Sequence, residues 1–193
     1  MAYEKKNIRA VIEEINSRKI YLPAIQRKYV WDDDQITRLM DSIMLGYPIG
    51  TFLFWKVRKS IINKKEYSMY EFIKDFHERD VYKNPSAPQP FPIGSDEETI
   101  WAVLDGQQRL TSLYIALQGS MSRKLPNKRW KNDDAFPIKE LYLDLHSQRT
   151  DEEDISYEFK FLTQEEAKKQ KDDRLWYLVK DILKYSQDEL VTD

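Results

Sequence analysis

The amino-acid sequence predicts an α+β fold class, because short apolar runs typical of strands occur beside segments with the apolar spacing of helices. The clearest case is the continuous apolar run over residues 100–104, which is typical of a buried strand. The segment after it has apolar residues at positions i, i+3, i+4 and i+7, and this spacing predicts an amphipathic helix. These residues are Leu110, Leu113, Tyr114 and Leu117. A chain of 193 residues can bury a core and corresponds to one domain, or to one domain with an appendage.

The N-terminal part of the chain predicts two helices and two strands. Asp32 and Gln35 have the spacing of a capping box, which begins a helix, and Gly46 is a residue type that ends one. The run from 51 to 57 is apolar on both faces and predicts an interior strand. The predicted elements are a helix over 7–18, a strand over 20–22 that Pro23 stops, a helix after Asp32, and a strand over 51–57.

The C-terminal part predicts two more strands and two more helices. Thr163 and Glu166 have capping-box spacing and predict the start of the first of these helices. The predicted elements are strands over 141–145 and 157–162, the helix after Thr163, and a helix over 175–185. Two segments lack such patterns. Residues 84–98 contain four prolines and predict a surface loop or insertion, and residues 118–137 form a second long polar segment.

The composition argues against several classes of protein. The chain has no cysteine and only two histidines, His77 and His146, so disulfides, cysteine-bound zinc, a histidine metal site and a Ser/His/Asp triad are not expected. A net charge of −2 argues against binding polyanions through bulk electrostatics. No apolar run approaches the length of a membrane span, and the N-terminus has no signal-peptide pattern. These features predict a cytoplasmic protein without a membrane partner.

The segment from Asp105 to Arg109 is the leading candidate for a functional site. It lies between the predicted strand and helix, and a helix N-terminus offers unpaired N–H groups and a partial positive charge to an anion. An arginine in a first turn opposes the helix dipole by about 0.3–1 kcal/mol, a cost that is understandable if a phosphate binds there. The structural alternative is a cap formed by Asp105, with Arg109 paired to a carboxylate.

Two other polar segments are candidates for binding. Gln26, Arg27 and Lys28 lie on a loop between a strand and a helix, where an arginine can bind phosphate oxygens with its planar fork. The alternative is a surface loop paired with acids. A basic stretch without acids from 118 to 131 suits contact with a DNA backbone, and a solvated loop is the alternative. Its candidate DNA-binding residues are Arg123, Lys124, Lys128 and Arg129, with Trp130 nearby.

Three sequence blocks, LPAIQRKYVW, DSIMLGYPIG and VLDGQQRLTSL, occur in this order along the chain. Together they resemble the signature blocks of the GmrSD-type N-terminal domain family, also called the DGQQR domain, a branch of the ParB/sulfiredoxin-like fold. The resemblance covers most of residues 7–185. It implies a ParB/sulfiredoxin-like domain over 1–185, with a small mixed sheet flanked by helices and loop insertions at about 59–98 and 118–137. Residues 186–193 would then begin a truncated C-terminal region.

The resemblance also implies a function. Proteins of this family are anti-phage, modification-dependent restriction factors, whose N-terminal domain binds and often hydrolyses nucleoside triphosphates and regulates a DNA nuclease half. ParB-type relatives hold a triphosphate with a Gly-x-x-Arg turn, and Gly106 to Arg109 has that form. The implied catalytic residues are Asp105, Gln107, Gln108 and Arg109, and the implied nucleotide-binding residues are Gln26, Arg27, Gly106, Arg109 and Thr111. Asp105 is the implied ligand of a Mg²⁺ ion bound with the triphosphate.

The partners implied are a nucleoside triphosphate, DNA through the full-length protein, and a C-terminal nuclease domain, with a homo-oligomer left open. No His-Asn-His pattern of such a nuclease occurs in this sequence. Two alternatives remain open, a non-catalytic module that senses a nucleotide or DNA, and a ParB-like domain that nicks DNA itself. No Walker-type or GxGxxG motif is present, so nucleotide binding would need another architecture, and no motif identifies the preferred base.

Overall fold

The computed structural model describes residues 4–24, 29–63, 68–79, 99–147, 155–169 and 173–185. These residues divide into two compact units. The first unit is drawn from residues 4–24, 51–63, 68–72 and 99–107. The second is drawn from residues 29–50, 73–79, 108–147, 155–169 and 173–185. Each unit therefore combines segments that are distant in the sequence.

Helices and strands alternate irregularly along the chain. In order they are α1 (Ile8–Asn16), β1 (Ile20–Pro23), α2 (Asp33–Met44), β2 (Leu53–Arg58), α3 (Lys59–Asn63), β3 (Met69–Tyr70), β4 (Asp75–His77), β5 (Thr99–Asp105), α4 (Gln107–Gln118), β6 (Ser120–Ser122), β7 (Glu140–Asp144), β8 (Phe159–Leu162), α5 (Gln164–Lys168) and β9 (Trp176–Leu178). Short 3-10 helices cover Asp133–Ala135 and Val179–Lys184.

The first unit is built on a mixed sheet with the strand order β2-β5-β1-β3. Strand β5 pairs parallel with β1 and antiparallel with β2, while β3 pairs antiparallel with β1. Ala102 and Val103 of β5 are fully buried, which explains why this strand is continuously apolar. Trp55 packs against the core of the unit, whose members are Tyr21, Val57, Ile62, Met69, Ile100 and Ala102. The predicted small mixed sheet is present in this unit.

The second unit contains α2, most of α4, and two small sheets. Strands β4 and β6 pair in parallel, and the antiparallel sheet has the order β8-β7-β9. Helix α2 packs against β8, and Oδ1 of buried Asp41 accepts N–H bonds from Ser156 at 3.1 Å and Tyr157 at 2.8 Å. Residues 110–117 of α4 are all buried, so this part of the helix is enclosed on every side. The predicted apolar stripe is present, but the helix is not amphipathic.

Local capping signals place the helix ends where the sequence predicts them. Asp32 and Gln35 form both bonds of the capping box that begins α2, and Gly46 follows the end of that helix with a φ of +73°. Thr163 and Glu166 form the second capping box, at the start of α5. These predictions are confirmed because a cap depends on residues only a few positions apart.

The predicted helix over 175–185 is wrong. Residues 176–178 form β9, whose Tyr177 and Leu178 lie opposite Leu143 and Tyr142 of β7. A 3-10 helix follows at Val179–Lys184. Pairing with β7 satisfies the backbone of this aromatic segment, and this tertiary contact overrides a helical spacing that the sequence also supports.

The polar segment 118–137 is more ordered than its composition predicts. Ser120–Ser122 are buried and form β6, and Ala135 and Phe136 are buried as well. The proline-rich segment 84–98 lies outside the described residues. Among the described helices, none has the length and apolar character needed to cross a membrane.

Candidate functional site

The turn between β5 and α4 has a left-handed glycine at its centre. Asp105 is the last residue of β5 and lies opposite Leu53 of β2, Gly106 has a φ of +85°, and α4 begins at Gln107. A side chain at Gly106 would cost about 1–2 kcal/mol in this conformation. Asp105 therefore precedes the first helical turn. The first turn itself contains no acidic residue.

The two glutamines of this segment form different hydrogen bonds. Gln107 is buried, and its Nε2 donates to the backbone oxygen of Val103 at 2.6 Å, which ties the first helical residue back to β5. Gln108 instead accepts the backbone N–H of Val30 at its Oε1, at 3.0 Å. Both contacts are with the backbone, so each glutamine has a structural task. Their predicted catalytic roles stay predictions.

A second contact fastens residues 29–30 to the same helix. The hydroxyl of Tyr29 shares a hydrogen bond of 2.8 Å with Oγ of Ser112, which is fully buried. Burial raises the pKa of Tyr29 well above its ordinary value, and the hydrogen bond to Ser112 only partly opposes this, so the phenol is neutral at physiological pH. Gln26 and Arg27, which precede this segment, lie outside the described residues.

Arg109 is held against the turn that follows α2. Its Nη1 donates a hydrogen bond to the backbone oxygen of Ile49. Gly50 has a φ of +85°, and a Cβ there would overlap Nη1 of Arg109 and lie 3.4 Å from its Cζ. The half-buried guanidinium is therefore oriented by backbone, and Gly50 provides the space. The sequence suggested a carboxylate partner for Arg109 as the alternative, whereas the bond to Ile49 is to a backbone carbonyl oxygen.

The three sequence blocks are connected by these contacts. Residues of the first block, Tyr29 and Val30, and a residue of the second, Ile49, bond to side chains in the helical part of the third. Thr111, a predicted nucleotide ligand, is 2% exposed in the second turn of α4. Sequence reasoning missed Tyr29, Ile49 and Gly50 as partners of the segment. Gly50, which ends the second block, was the feature of the sequence that could have indicated a close contact there.

The predicted DNA-binding residues fall into two groups. Arg123 bonds through Nε to Oδ1 of Asp33 at 2.9 Å and through Nη2 to the Trp31 oxygen at 2.6 Å, and its Cζ lies 5.0 Å from the ring centroid of Phe76. Lys124 donates from Nζ to the oxygen of Leu125 at 3.2 Å. Both cations are thus engaged within the fold. The other two, Lys128 and Arg129, are exposed.

The acids beside Arg123 show no sign of a metal site. Asp32 caps α2, and Asp33 pairs with Arg123. Burial raises the pKa of Asp33, and the positive charge of Arg123 opposes that shift. Throughout the described part of the chain, no group of three or more histidine or acidic side chains could hold a metal ion. A metal at Asp105 would therefore need ligands from elsewhere, such as phosphate oxygens and water.

The chain has a mixed α/β fold, and contacts with α4 connect its three sequence blocks. Residues 8–192 match the family model described as the N-terminal domain of the GmrSD restriction endonuclease, and the chain belongs to this family. It is also 29% identical over 117 residues to an uncharacterized protein of Methanocaldococcus jannaschii. That match covers 61% of this chain and 18% of the archaeal protein.

Proposed function

We propose that this chain is the nucleoside-triphosphate-binding and hydrolysing domain of an anti-phage restriction protein, and that it regulates a DNA nuclease half outside this sequence. Its family membership supports the restriction role. The β5–α4 turn is the observation that carries the rest of the proposal. A strand ends there, a left-handed glycine follows, and a helix begins at once.

The physical argument concerns the negative charge of a triphosphate. The first N–H groups of α4 have no partners within the helix, and the helix dipole places a partial positive charge at the same end. Gly106 has no side chain, so a phosphate can approach the backbone closely. Arg109, the third residue of α4, adds a positive charge, and the first turn of the helix contains no acidic residue. Its bond to the backbone oxygen of Ile49 fixes the direction of the guanidinium.

Asp105 supplies the carboxylate of the proposed site. It is exposed at the end of β5, immediately before the glycine. Mg²⁺ commonly binds through one or two carboxylates together with phosphate oxygens, so one carboxylate at this position fits an ion that arrives with the triphosphate. Such an ion would neutralise charge on the phosphate oxygens. Asp105 would hold it or orient the attacking water, and Arg109 would stabilise the negative charge that develops.

The test is binding and hydrolysis of the four ribonucleoside triphosphates with Mg²⁺, comparing the parent chain with Arg109→Ala. The matched control is Arg38→Ala, which removes an exposed arginine from α2. Loss of one charged phosphate contact should weaken binding by about tenfold to a hundredfold, whereas the control should behave like the parent. Equal affinity in the parent and both variants would refute the phosphate site.

Asp105→Ala separates catalysis from binding. The proposal predicts retained triphosphate binding and lost phosphate release in this variant. Unchanged turnover would remove Asp105 from the mechanism.

A sensing module without turnover is the second candidate. Gln107 and Gln108 both bond to backbone atoms, which suits residues that fasten segments together rather than position a water. In that case binding would be measurable, and no phosphate would be released by the parent chain. A plasmid-nicking assay with the same protein tests the remaining alternative, in which the domain cuts DNA itself.

A further inference from the structure

A surface loop of the second unit presents an exposed tryptophan among cations. Trp130 keeps 49% of its surface open, and its neighbours Lys128, Arg129 and Lys131 are exposed too. No acid occurs between positions 118 and 131. The next acids, Asp133 and Asp134, begin a 3-10 helix, and Asp133 is paired with Arg79 at 2.6 Å. Lys128, Arg129 and Lys131 therefore give the loop more positive than negative charge.

Hydrogen bonds define the conformation of this loop. Backbone N–H groups of Lys128 and Asn132 donate to Leu125 and Arg129 at 3.4 and 3.0 Å, which closes two consecutive turns. Asn127 adopts a φ of +61°, a conformation that asparagine tolerates better than most residues. Nη1 of Arg79 donates to the backbone oxygen of Trp130 at 3.3 Å. The position of the tryptophan is thus set by its main chain.

The indole ring of Trp130 packs against a buried aromatic side chain. It lies edge-to-face with Phe136, with ring centroids 5.4 Å apart and an angle of 89° between the planes. Phe136 is 5% exposed and stacks on His77 at 5.1 Å. The ring therefore has a firm support, yet half of its surface stays open. The open part of the indole is therefore held in place and accessible to a planar partner.

We propose that Trp130, Lys128, Arg129 and Lys131 form a binding surface for an unpaired nucleotide. The indole would stack on the base, and the three cations would neutralise the flanking phosphates. The face of a base is covered by its neighbours in a duplex, so a stacking residue requires a single strand or a base turned out of the helix. This surface is independent of the β5–α4 turn. It also differs from the set predicted from sequence, since Arg123 and Lys124 bond within the fold.

The test measures the affinity of the whole chain by fluorescence anisotropy for a labelled single-stranded oligonucleotide, its duplex, and the duplex with one unpaired base. We expect the single strand to bind more tightly than the duplex. Trp130→Ala should weaken that binding between about 5-fold and about 150-fold, and Trp130→Phe should retain most of it. The control Tyr47→Ala removes another exposed aromatic residue, at 60% exposure, and should leave affinity unchanged.

The third oligonucleotide distinguishes the two sources of an unpaired base. Binding of the duplex with one unpaired base as tightly as the single strand, lost in Trp130→Ala, supports a base turned out of a duplex. Trp130-dependent binding of the single strand alone supports single-stranded nucleic acid. If Trp130→Ala and Tyr47→Ala bind alike, or if no oligonucleotide binds, the proposal is overturned.

The cations are tested by the salt dependence of single-strand binding. Lys128→Ala with Arg129→Ala removes two phosphate contacts, so the slope of log K against log salt should become shallower by about 1.4. Lys168→Ala with Lys169→Ala removes two exposed lysines at the end of α5 and should leave the slope unchanged. Equal slopes in the two double variants would contradict the proposal. Trp130→Ala should leave triphosphate binding intact, so this proposal and the triphosphate site can fail separately.

Discussion

Replacing Gly50 with alanine tests how Arg109 is held. Gly50 has a φ of +85°, and alanine would pay about 1–2 kcal/mol for this left-handed conformation. The added Cβ would also overlap Nη1 of Arg109. The guanidinium would then have to leave the position from which it donates to the Ile49 oxygen. A hydrogen bond from a charged group contributes about 1.5–3 kcal/mol to stability, and this contribution would be lost as well.

Gly46→Ala is a matched control for the backbone cost. Gly46 has a φ of +73°, and nothing lies within 4 Å of a Cβ built on it. Its replacement should therefore lower the free energy of unfolding by about 1–2 kcal/mol through the backbone alone. Gly50→Ala should lower it by about 2.5–5 kcal/mol, because the backbone cost and the lost hydrogen bond add. The difference between the two variants measures the displacement of Arg109.

Urea unfolding followed by circular dichroism gives both free energies. A second measurement places Gly50→Ala in a chain that already carries Arg109→Ala, where no guanidinium remains to be displaced. In that background the cost of Gly50→Ala should fall to the backbone value found for Gly46→Ala. The reasoning is refuted if Gly50→Ala and Gly46→Ala lower the free energy of unfolding equally in the parent chain. It is also refuted if the cost of Gly50→Ala is the same with and without Arg109.

Two further predictions concern α2 and the segment before it. Asp32→Ala should lower the free energy of unfolding in urea by about 1 kcal/mol, because it removes the carboxylate that accepts the backbone N–H of Gln35 in the capping box. Exposed Asp34→Ala should cost only about a few tenths of a kcal/mol, and equal costs would contradict the role of the cap. Tyr29→Phe should cost about 1 kcal/mol at neutral pH through the lost bond to Ser112. Burial raises the pKa of Tyr29 in the folded state, so its stabilising effect is complete below pH of about 10 and is lost as pH rises further. Urea unfolding on both sides of that pH should show the phenylalanine variant losing less stability than the parent, and equal losses would argue against a buried phenol.

The contacts of α4 give a physical reason for the three sequence blocks. Helix α4 presents Gln108, Arg109 and Ser112 to backbone and side-chain groups of the segments 29–30 and 49–50. Each contact is specific in geometry, since Gly50 leaves no room for a side chain beside Arg109. The first and second blocks, which look like loop motifs in the sequence, therefore also hold α4 in place through these hydrogen bonds. We therefore expect triphosphate binding at the proposed site to depend on residues from all three blocks.

The amino-acid sequence alone was enough to predict the local features of this protein. The capping boxes at Asp32 and Thr163, the helix end at Gly46 and the buried strand before Asp105 follow from interactions between residues a few positions apart. The family was also recognisable, because three short blocks carry its pattern. These features need no knowledge of distant contacts.

The remaining features depend on contacts that form only in the folded chain. Residues 176–178 form a strand because their backbone pairs with β7. Arg123 bonds to Asp33, which lies 90 positions away in the sequence. Gln107, which the sequence predicted to be catalytic, is buried and donates a hydrogen bond to the backbone oxygen of Val103. Arg109 is oriented by its hydrogen bond to the backbone oxygen of Ile49. A side chain with several donors can bond to a ligand or to its own fold, and the pattern of residue types is the same in both cases. The choice depends on which groups the fold brings within hydrogen-bonding distance, and that is a property of the folded chain.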